Sequence, residues 1–416
     1  MLEQILERDN LLTAWKRVKA NEGSAGVDEI TIEEFPSYIR KHWPEIKRQV
    51  LEETYQPKPV RRAEIPKRSG GKRPLGIPTV LDRMLQQAIL QVLQPLFDPE
   101  FSESSYGFRP GRSGHQAVRR VRQLINAGYR YVVDIDLSKF FDRVNHDLLM
   151  ARLARKINDK RVLRLIGLYL RAGVEVEGEI VPTTEGVPQG GPMSPLLANI
   201  MLDDFDKELE KRGHQFVRYA DDFMIFVKSK RAAHRVMRSV TRYLEKELKL
   251  VVNQEKSRIV KAEECEYLGF IFRNKRITWS DESLKEFRYN ISRLTARSWG
   301  ISMNQRLEKL SSYIRGWMGY YALSKYYTPL PGLDNWIRRR VRMCHLKQWP
   351  KTRTRVQNLI KLGAPKEQAI SVGLSCKGPW RLAKTFGSQG ALTNTYLKEQ
   401  GLISVLDLWV AFHYPK

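Results

Sequence analysis

The sequence predicts an α+β fold, in which a region of mixed strands and helices is followed by an all-helical region. Two apolar segments, 131–137 and 216–227, have the composition of strands and carry acidic residues. Beyond Asp281, strand signals disappear and helical periodicity with many arginines and aromatic residues takes over. We therefore predict four regions: an N-terminal extension (1–55), a mixed domain (56–280), a helical domain (281–349) and a basic C-terminal region (350–416).

The composition of the chain points to a polyanionic partner. The 416 residues include 72 lysines and arginines against 46 acidic residues, so the formal net charge is +26. Nucleic acid is the commonest polyanion that such a field attracts, and a solvated basic face or a membrane-surface patch is the alternative. No apolar run reaches the roughly 18 residues of a membrane span. The three separated cysteines favour a reducing cytosol.

The N-terminal third of the chain contains three patterns with distinct structural meanings. Residues 1–55 predict two amphipathic helices on either side of a small, polar, mobile loop at 20–28. Five prolines between residues 55 and 78 exclude a helix and favour extended edge strands joined by a turn at 69–71. From Asp82, apolar residues at helical spacing predict a helix that ends near Pro95.

Acidic residues lie inside the two most strand-like segments. Residues 131–137 predict a buried strand that contains Asp134 and Asp136. Residues 216–227 predict a β-hairpin with Asp221-Asp222 at its turn. The other predicted elements of the mixed domain are a helix from about Asp147, a loop and helix over 187–199, a helix over about 232–250 and a short β segment over 267–277.

These acidic residues predict a metal site. Buried carboxylates are costly unless they are paired or bind a metal ion, and Asp134 and Asp136 can face the same side of one strand. If the hairpin pairs beside that strand, three carboxylates converge. Hard oxygen ligands with open positions suit Mg²⁺ and the phosphate oxygens of a substrate. For Asp221-Asp222 taken alone, ordinary turn chemistry is the alternative explanation.

Blocks spread along nearly the whole chain resemble bacterial group II intron reverse transcriptases of the type without a C-terminal endonuclease domain. The blocks that carry this resemblance are 133–142 (VDIDLSKFFD), 186–195 (GVPQGGPMSP) and 219–222 (YADD). It extends to stretches that look like two fingers motifs, a primer-grip element and the maturase or thumb domain, namely 65–78, 106–113, 267–270 and 314–321.

The resemblance implies a right-hand polymerase fold. The mixed domain then forms fingers and a palm with an antiparallel sheet, the helical domain is an all-α thumb or maturase domain, and the C-terminal region is a small basic DNA-binding region. The resemblance also implies that Asp136, Asp221 and Asp222, with the backbone carbonyl of Ile135, hold two Mg²⁺ ions, for which Mn²⁺ is a substitute. Asp134 is then a neighbouring structural acid.

Further site residues follow from the same resemblance. It implies that the incoming dNTP meets Lys67 and Arg73 at its triphosphate, the steric gate Phe141 at its sugar, and Gln189 at the nascent base pair. Lys256 is the candidate general acid for pyrophosphate. Template or primer contacts are implied for Gly23, Ser24, Ala25, Gly26, Arg109, Arg112, Gly190, Leu268 and Gly269, although Arg109 and Arg112 could instead anchor their loop. The basic cluster Arg338, Arg339, Arg340 and Arg342 is interpreted as a contact for RNA or DNA phosphates.

The function implied is that of an RNA-directed DNA polymerase that extends a DNA primer on an RNA template with dNTPs. Such a protein also binds its group II intron RNA as a splicing maturase and supports retrohoming into target DNA, in the bacterial cytoplasm at the nucleoid and without a membrane partner. A domesticated relative in DNA repair or defence, and an RNA-binding splicing cofactor without polymerase activity, are the alternatives. Monomer and homodimer both stay open. The absence of a His/Cys cluster in the sequence predicts no endonuclease domain.

Overall fold

The computed structural model of this chain describes residues 1–66 and 71–415. The chain divides into two compact units, Met1–Ala262 and Glu263–Lys416. This division falls before the predicted boundary near residue 280. The reason is that three short strands between residues 266 and 279 pair with one another and form a sheet of the second unit. No helix in the described ranges is long and apolar enough to cross a membrane.

The first unit alternates helices with short strands. Its helices are α1 (Leu2–Ile5), α2 (Arg8–Ala20), α3 (Phe35–Leu51), α4 (Val80–Phe97), α5 (Gly114–Asn126), α6 (His146–Ala154), α7 (Lys160–Arg171), α8 (Ser194–Lys211) and α9 (Lys230–Lys246). Its strands are β1 (Val60–Pro66), β2 (Lys72–Ile77), β3 (Tyr131–Ile135), β4 (Val174–Val176), β5 (Glu179–Val181), β6 (Gln215–Tyr219), β7 (Asp222–Val227) and β8 (Arg258–Lys261).

A four-stranded sheet with the order β6-β7-β3-β8 carries the acidic residues, and we call it the palm sheet. All of its neighbouring strands are antiparallel. The pairing of β6 with β7 confirms the predicted hairpin, with Ala220 and Asp221 as its two-residue turn. Because Ile135 at the end of β3 pairs with Phe223 near the start of β7, the turn of the hairpin lies beside the end of β3.

The two faces of the palm sheet have different surroundings. Val133, Ile135 and Ile225 are buried in one apolar core together with the inner side of α9, which contributes Val236 and Val240. Side chains alternate between the faces of a strand, so Asp134 and the first residue of β7 point away from that core. This alternation explains how a strand can be buried and still expose a carboxylate.

The fingers sheet has the order β2-β1-β4-β5. Strands β1 and β2 are antiparallel and confirm the predicted extended pair, while β1 also pairs in parallel with β4. The prediction that both are edge strands is therefore wrong for β1. Its prolines do not prevent this pairing, because Pro57 and Pro59 precede the strand and Pro66 is its last residue.

The second unit is mainly helical, as predicted for the region beyond residue 280. Its strands β9 (Glu266–Tyr267), β10 (Phe270–Arg273) and β11 (Arg276–Trp279) form a small antiparallel sheet. Its helices are α10 (Asp281–Leu294), α11 (Met303–Tyr321), α12 (Leu330–Gln348), α13 (Thr352–Lys361), α14 (Lys366–Leu374), α15 (Pro379–Leu382), α16 (Phe386–Ala391), α17 (Asn394–Glu399) and α18 (Val405–His413).

Candidate active site

Four carboxylates lie at one end of the palm sheet. Asp134 is in β3 and Asp136 follows that strand directly, while Asp221 is in the hairpin turn and Asp222 is the first residue of β7. Asp136 and Asp221 are half-buried, and Asp222 keeps contact with solvent. Strand pairing therefore brings together carboxylates from two segments that are more than 80 residues apart in the chain.

The carboxylates influence one another electrostatically. Desolvation of its carboxylate is the largest cause that raises the pKa of Asp222 to about 7, and the negative charges of Asp134, Asp221 and Asp136 contribute to this rise. Burial also raises the pKa of Asp221, with a contribution from Asp136, while the positive charges of Arg73 and Arg218 oppose the shift. Carboxylates thus lie close enough at this end of the sheet to raise the pKa of one another.

The acidic cluster has the donor chemistry of an open magnesium site, although it is not a closed cage of ligands. In the part of the chain that the structure describes, no three His, Cys, Asp or Glu side chains are grouped closely enough to hold a metal ion by themselves. Mg²⁺ retains waters and takes phosphate oxygens from a substrate, so it needs only one or two carboxylates from the protein. Asp136, Asp221, Asp222 and the carbonyl of Ile135 offer hard oxygen donors that fit this requirement.

Asp134 has a different partner from the other three. Its carboxylate accepts a hydrogen bond from Nε of Arg258 at 3.2 Å, across the paired strands β3 and β8. Burial raises the pKa of Asp134, and this ion pair opposes the rise. The contact agrees with the interpretation of Asp134 as a structural acid.

The backbone of Asp136 is fixed by the loop that carries Lys256. The amide of Asp136 donates to Oγ of Ser257 at 3.1 Å, and its carbonyl accepts from the amide of Asn253 at 2.8 Å. The side chain of Lys256 is exposed. The candidate general acid therefore belongs to a segment that is hydrogen-bonded directly to a candidate catalytic residue.

A buried arginine supports the hairpin turn from inside the first unit. Arg218 is fully buried and forms an ion pair with Asp206 of α8, with Nη2 at 2.5 Å and Nε at 2.8 Å from the carboxylate oxygens. Its Nη1 donates to the carbonyl of Ala220 and to Oδ1 of Asn199, both at 2.9 Å. Ala220 has φ of 58°, a left-handed conformation that a residue other than glycine adopts only when its surroundings enforce it.

Sequence reasoning missed this support, which we call the Arg218 network (Arg218, Asp206 and Asn199). The available signal was a charged residue inside an apolar strand, since Arg218 lies between Val217 and Tyr219. A buried charge needs a partner, and Asn199 and Asp206 are seven residues apart on one face of a helix. That reasoning predicts a partner for Arg218 without identifying it.

The motif 106–113 lies directly against the hairpin turn. The amide of Tyr106 donates to the carbonyl of Arg218 at 2.9 Å, and Asn199 donates to the carbonyl of Gly107, also at 2.9 Å. A Cβ added at Gly107 would collide with the backbone nitrogen of Ala220 and would lie 2.9 Å from the carbonyl carbon of Tyr219. This position therefore requires glycine, because only glycine allows the two backbones to approach so closely.

The structure places Arg109 and Arg112 differently from a template contact. Arg109 is buried and donates to the carbonyls of Ser102 and Ser105 and to the carboxylate of Asp98, so it anchors its own loop. Arg112 is ion-paired with Glu103. Of the two roles predicted for these arginines, the structure supports loop anchoring, because their guanidinium groups already have partners within the loop.

The fingers strand β2 carries a charge that acts on the acidic cluster. Arg73 on β2 is exposed, and its positive charge opposes the rise in the pKa of Asp221. The amide of Gly76 on the same strand donates to the carbonyl of Gln189 at 2.7 Å. Gly190 has φ of 118°, and a Cβ there would lie 2.5 Å from the carbonyl oxygen of Gly76. Lys67 lies outside the described residues.

Phe141 occupies a half-buried position next to the palm loop. Its carbonyl accepts from the amide of Val187 at 2.6 Å, which ties the turn of Phe141 to the segment that precedes Gln189. Phe140, in contrast, is fully buried in the core and packs edge-on against Phe141 at 5.2 Å between ring centroids. Core packing thus accounts for Phe140 and leaves part of the Phe141 ring accessible.

The N-terminal loop of candidate template residues is attached to the start of α4. Nη2 of Arg83 donates to the carbonyl of Ser24 at 2.7 Å, and a Cβ at Gly23 would collide with the Arg83 guanidinium. A Cβ at Gly26 would lie 2.7 Å from the backbone nitrogen of Thr79. The small residues of the loop, which include Ala25, therefore permit close packing of this segment on the helix N-terminus.

In the second unit, the primer-grip candidates are fixed by aromatic residues of α11. The hydroxyl of Tyr320 donates to the carbonyl of Leu268 at 3.0 Å. Leu268 and Gly269 both have positive φ, at 50° and 80°. A Cβ at Gly269 would lie 2.6 Å from the Tyr321 hydroxyl oxygen. The two residues therefore form a tight, tethered turn.

The arginine cluster of α12, which is predicted to contact phosphates, also makes contacts within the second unit. Arg339 stacks on Trp380, with its Cζ 3.7 Å from the ring centroid, and donates to the carbonyl of that residue. Arg340 donates to the carbonyl of Ser292 on α10 and to the hydroxyl of Thr295, which follows that helix. The buried Arg342 donates to the carbonyl of Leu392. Arg338 lies 3.8 Å from Asp334, one turn earlier. Sequence periodicity does not distinguish such interhelical donors from solvent-facing cations.

Comparison with known families agrees with this geometry. Residues 65–272, half of the chain, match the family described as "Reverse transcriptase (RNA-dependent DNA polymerase)". Residues 284–363 match the family described as "Group II intron, maturase-specific domain". The two matches fall in the first and second units respectively, apart from a short overlap at residues 263–272.

Individual relatives show the same affiliation. Protein YkfC of Escherichia coli is 36% identical over 302 residues, which cover 63% of this chain and 78% of YkfC. The group II intron-encoded protein LtrA of Lactococcus lactis is 28% identical over 340 residues, which cover 65% of this chain but only 56% of LtrA. On these matches, the chain belongs to the family of group II intron reverse transcriptases and maturases.

Proposed function

We propose that this protein extends a DNA primer on an RNA template by two-metal nucleotidyl transfer at the end of the palm sheet. The observation that carries the proposal is the gathering of Asp136, Asp221 and Asp222 beside a fingers strand that carries Arg73. Carboxylates next to an exposed arginine match the two needs of the reaction, which are metal ligands and a clamp for a triphosphate.

Each group has a role in this proposal. Asp136, Asp221 and Asp222, with the carbonyl of Ile135, would hold two Mg²⁺ ions, which activate the primer 3′-hydroxyl and stabilise the leaving pyrophosphate. Arg73, together with Lys67, holds the triphosphate oxygens. Lys256 donates a proton to the pyrophosphate as it leaves. Mn²⁺ would occupy the same oxygen ligands.

Sugar and base recognition belong to the loops that join fingers and palm. The half-exposed ring of Phe141 would lie below the sugar and exclude a 2′-hydroxyl, the group that separates ribonucleotides from dNTPs. Gln189 and Gly190 would contact the nascent base pair through a segment already hydrogen-bonded to β2. The loop Gly23–Gly26 would cover the template strand.

The test is primer extension on an RNA template with dNTPs and Mg²⁺, comparing two isosteric substitutions in the acidic cluster. Asp221→Asn should lower the extension rate about 100-fold or more, because it removes a metal ligand. Asp134→Asn is the matched control, since it removes a neighbouring carboxylate whose partner is Arg258. It should retain activity within several-fold. Equal rates for Asp221→Asn and the unsubstituted protein would refute the site.

We also propose a maturase function for the same chain, on the strength of the match of residues 284–363 to the maturase-specific domain. The partner would be a group II intron RNA, bound by shape and backbone as is usual for structured RNA. Insertion into target DNA would follow at the bacterial nucleoid. The splicing rate of a group II intron RNA, measured at low Mg²⁺ with and without the protein, tests this role. Equal splicing rates would contradict it.

A further inference from the structure

Helix α9 carries a continuous line of cations on its outer side. We call this line the basic stripe: it consists of Arg231, Arg235, Arg238, Arg242 and Lys246, all of them exposed. Their spacing of three or four residues places them on one face of the helix, along about 22 Å of its axis. With Lys230 and Glu245 included, the 17-residue helix has a net charge of +5, against +26 for all 416 residues.

The cations of the basic stripe are not paired with carboxylates, although Glu245 and Glu247 line the grooves beside them. None of the five side chains forms an ion pair or a side-chain hydrogen bond within the described ranges of the chain. Three exposed arginines elsewhere differ in this respect, since Arg48, Arg155 and Arg164 are each paired with a carboxylate. Like charges three or four residues apart on a helix repel one another. The free protein therefore carries an unfavourable arrangement that an anionic partner would relieve.

The basic stripe lies on the far side of the palm sheet from the active site. The inner side of α9, with Val236 and Val240, packs on the sheet face that contains Val133 and Ile135. The candidate catalytic carboxylates lie at the end of β3 and β7, where Asp134 and Asp222 point away from that core. The stripe thus lies on the outer side of α9, and the groove beside it extends to Ser257, which accepts a hydrogen bond from the amide of Asp136.

Open grooves run along both sides of the stripe. One has a volume of about 450 Å³ and is bounded by α9 and by Arg212 at the end of α8. The other, of about 520 Å³, lies between α9 and the segment that contains Val252, Gln254 and Ser257. Arg238, Arg242 and Lys246 line both grooves. A raised ridge of cations between two grooves suits an extended anion, such as a phosphodiester backbone, better than a compact one.

We propose that the basic stripe of α9 is a second nucleic-acid surface, which binds the phosphate backbone of folded RNA while the palm holds primer and template. The proposal rests on the proposed function in one respect, namely that the protein binds a structured RNA. Each guanidinium or ammonium group releases counterions from the RNA when it contacts a phosphate. Contacts to phosphates fix position and carry no sequence information, so the stripe contributes affinity and orientation without sequence preference.

The experiment neutralises three cations of the stripe in the full chain, as Arg235→Gln, Arg238→Gln and Arg242→Gln together. The probe is an RNA hairpin with a stem of about 20 base pairs, titrated at several salt concentrations after the palm is saturated with primer and template. The slope of log affinity against log salt should become shallower by about 2–3, close to one unit for each phosphate contact removed. The thermal midpoint of the free protein should rise, because the repulsion along α9 is relieved.

The matched control removes three exposed arginines that already have partners, as Arg48→Gln, Arg155→Gln and Arg164→Gln. It changes the net charge equally but should leave the salt slope unchanged. The same slope for the stripe variant and the unsubstituted protein would overturn the proposal, and so would an equal decrease in the control. If the salt slope of the stripe variant becomes shallower by the same amount on a DNA hairpin of the same sequence, the assignment to RNA is overturned. Primer extension by the stripe variant should stay normal, which separates this result from a failure of the polymerase site.

Discussion

Phe140 and Phe141 are adjacent in the chain, yet their rings have different surroundings. Phe140 is fully buried in the core of the first unit, whereas Phe141 is half-buried beside the loop that leads to Gln189. The doublet in the sequence is compatible with core packing for both rings. The difference in burial shows that Phe140 packs in the core, whereas part of the Phe141 ring stays available for a substrate.

The first residue-scale prediction concerns sugar discrimination. Phe141→Ala should increase incorporation of ribonucleotides relative to dNTPs by about 10-fold or more, because the ring would no longer exclude a 2′-hydroxyl. Single-nucleotide extension with each dNTP and its ribonucleotide measures this ratio. Phe140→Ala is the contrasting variant: it should lower the free energy of unfolding by about 3–5 kcal/mol without changing the ratio. If Phe141→Ala incorporates ribonucleotides and dNTPs in the same ratio as the unsubstituted protein, Phe141 is not the steric gate.

The second residue-scale prediction concerns His345, which is buried in α12 with no hydrogen-bond partner for Nε2 in the described structure. Burial lowers its pKa from 6.5 to about 4. The unfolded chain therefore binds this proton more tightly than the folded chain. The stabilising contribution is complete above pH 6.5 and is lost as the pH falls from about 6.5 to about 4.

Urea unfolding of the full chain, followed by the fluorescence of the tryptophans, measures this effect. The free energy of unfolding of the second unit should fall by about 2 kcal/mol between pH 7 and pH 5, beyond what other groups contribute. His345→Gln should remove that component of the pH dependence. If this variant and the unsubstituted protein lose the same stability over this interval, His345 is not the responsible group.

At the scale of elements, the hairpin of β6 and β7 is the unit that matters most for chemistry. Its strands followed from the apolar pattern of residues 216–227, and its turn followed from the two aspartates. What the pattern did not predict is the attachment of this hairpin to α8 through the Arg218 network. Such attachments join residues that are distant in sequence, and no periodicity marks them.

The Arg218 network gives the element-scale prediction. Asp206→Asn leaves a buried guanidinium without its counter-charge and should lower the free energy of unfolding by about 3–5 kcal/mol. Replacing both partners with apolar residues, as Arg218→Met with Asp206→Leu, should recover most of that stability. The double variant should nevertheless extend primers about 10–100-fold more slowly, since the Ala220 carbonyl has lost its donor and the turn is less well held.

Denaturant titration and single-turnover extension separate the two effects. A merely structural network would give a double variant with both stability and rate restored, and that outcome would contradict the positioning role. A loss of rate with normal nucleotide affinity supports it, because the carboxylates are then misplaced rather than absent. Arg155→Gln, which removes an exposed partner of Asp204 on the same helix, serves as the control with little change in either quantity.

At the scale of the whole molecule, sequence patterns predicted the α+β class, the succession of a mixed and a helical region, and the hairpin that carries Asp221 and Asp222. They succeeded because alternation and helical spacing are local properties. They did not reveal the intramolecular contacts of the α12 arginines, since a cation that donates to a neighbouring helix, such as Arg340, has the same spacing as one that faces solvent. The charge of the chain is thus divided: part of it holds the second unit together, and part lies unpaired along α9.

The contact between Gly107 and the backbone of Ala220 has a consequence for how this protein can change over evolutionary time. Even one added methyl group at Gly107 would displace the tetrapeptide that bears the aspartates. The two segments are therefore inherited as a matched pair, although 112 positions separate Gly107 from Tyr219 in the chain. A recombinant that joins the front half of one relative to the back half of another would remain active only if the crossover preserved this fit.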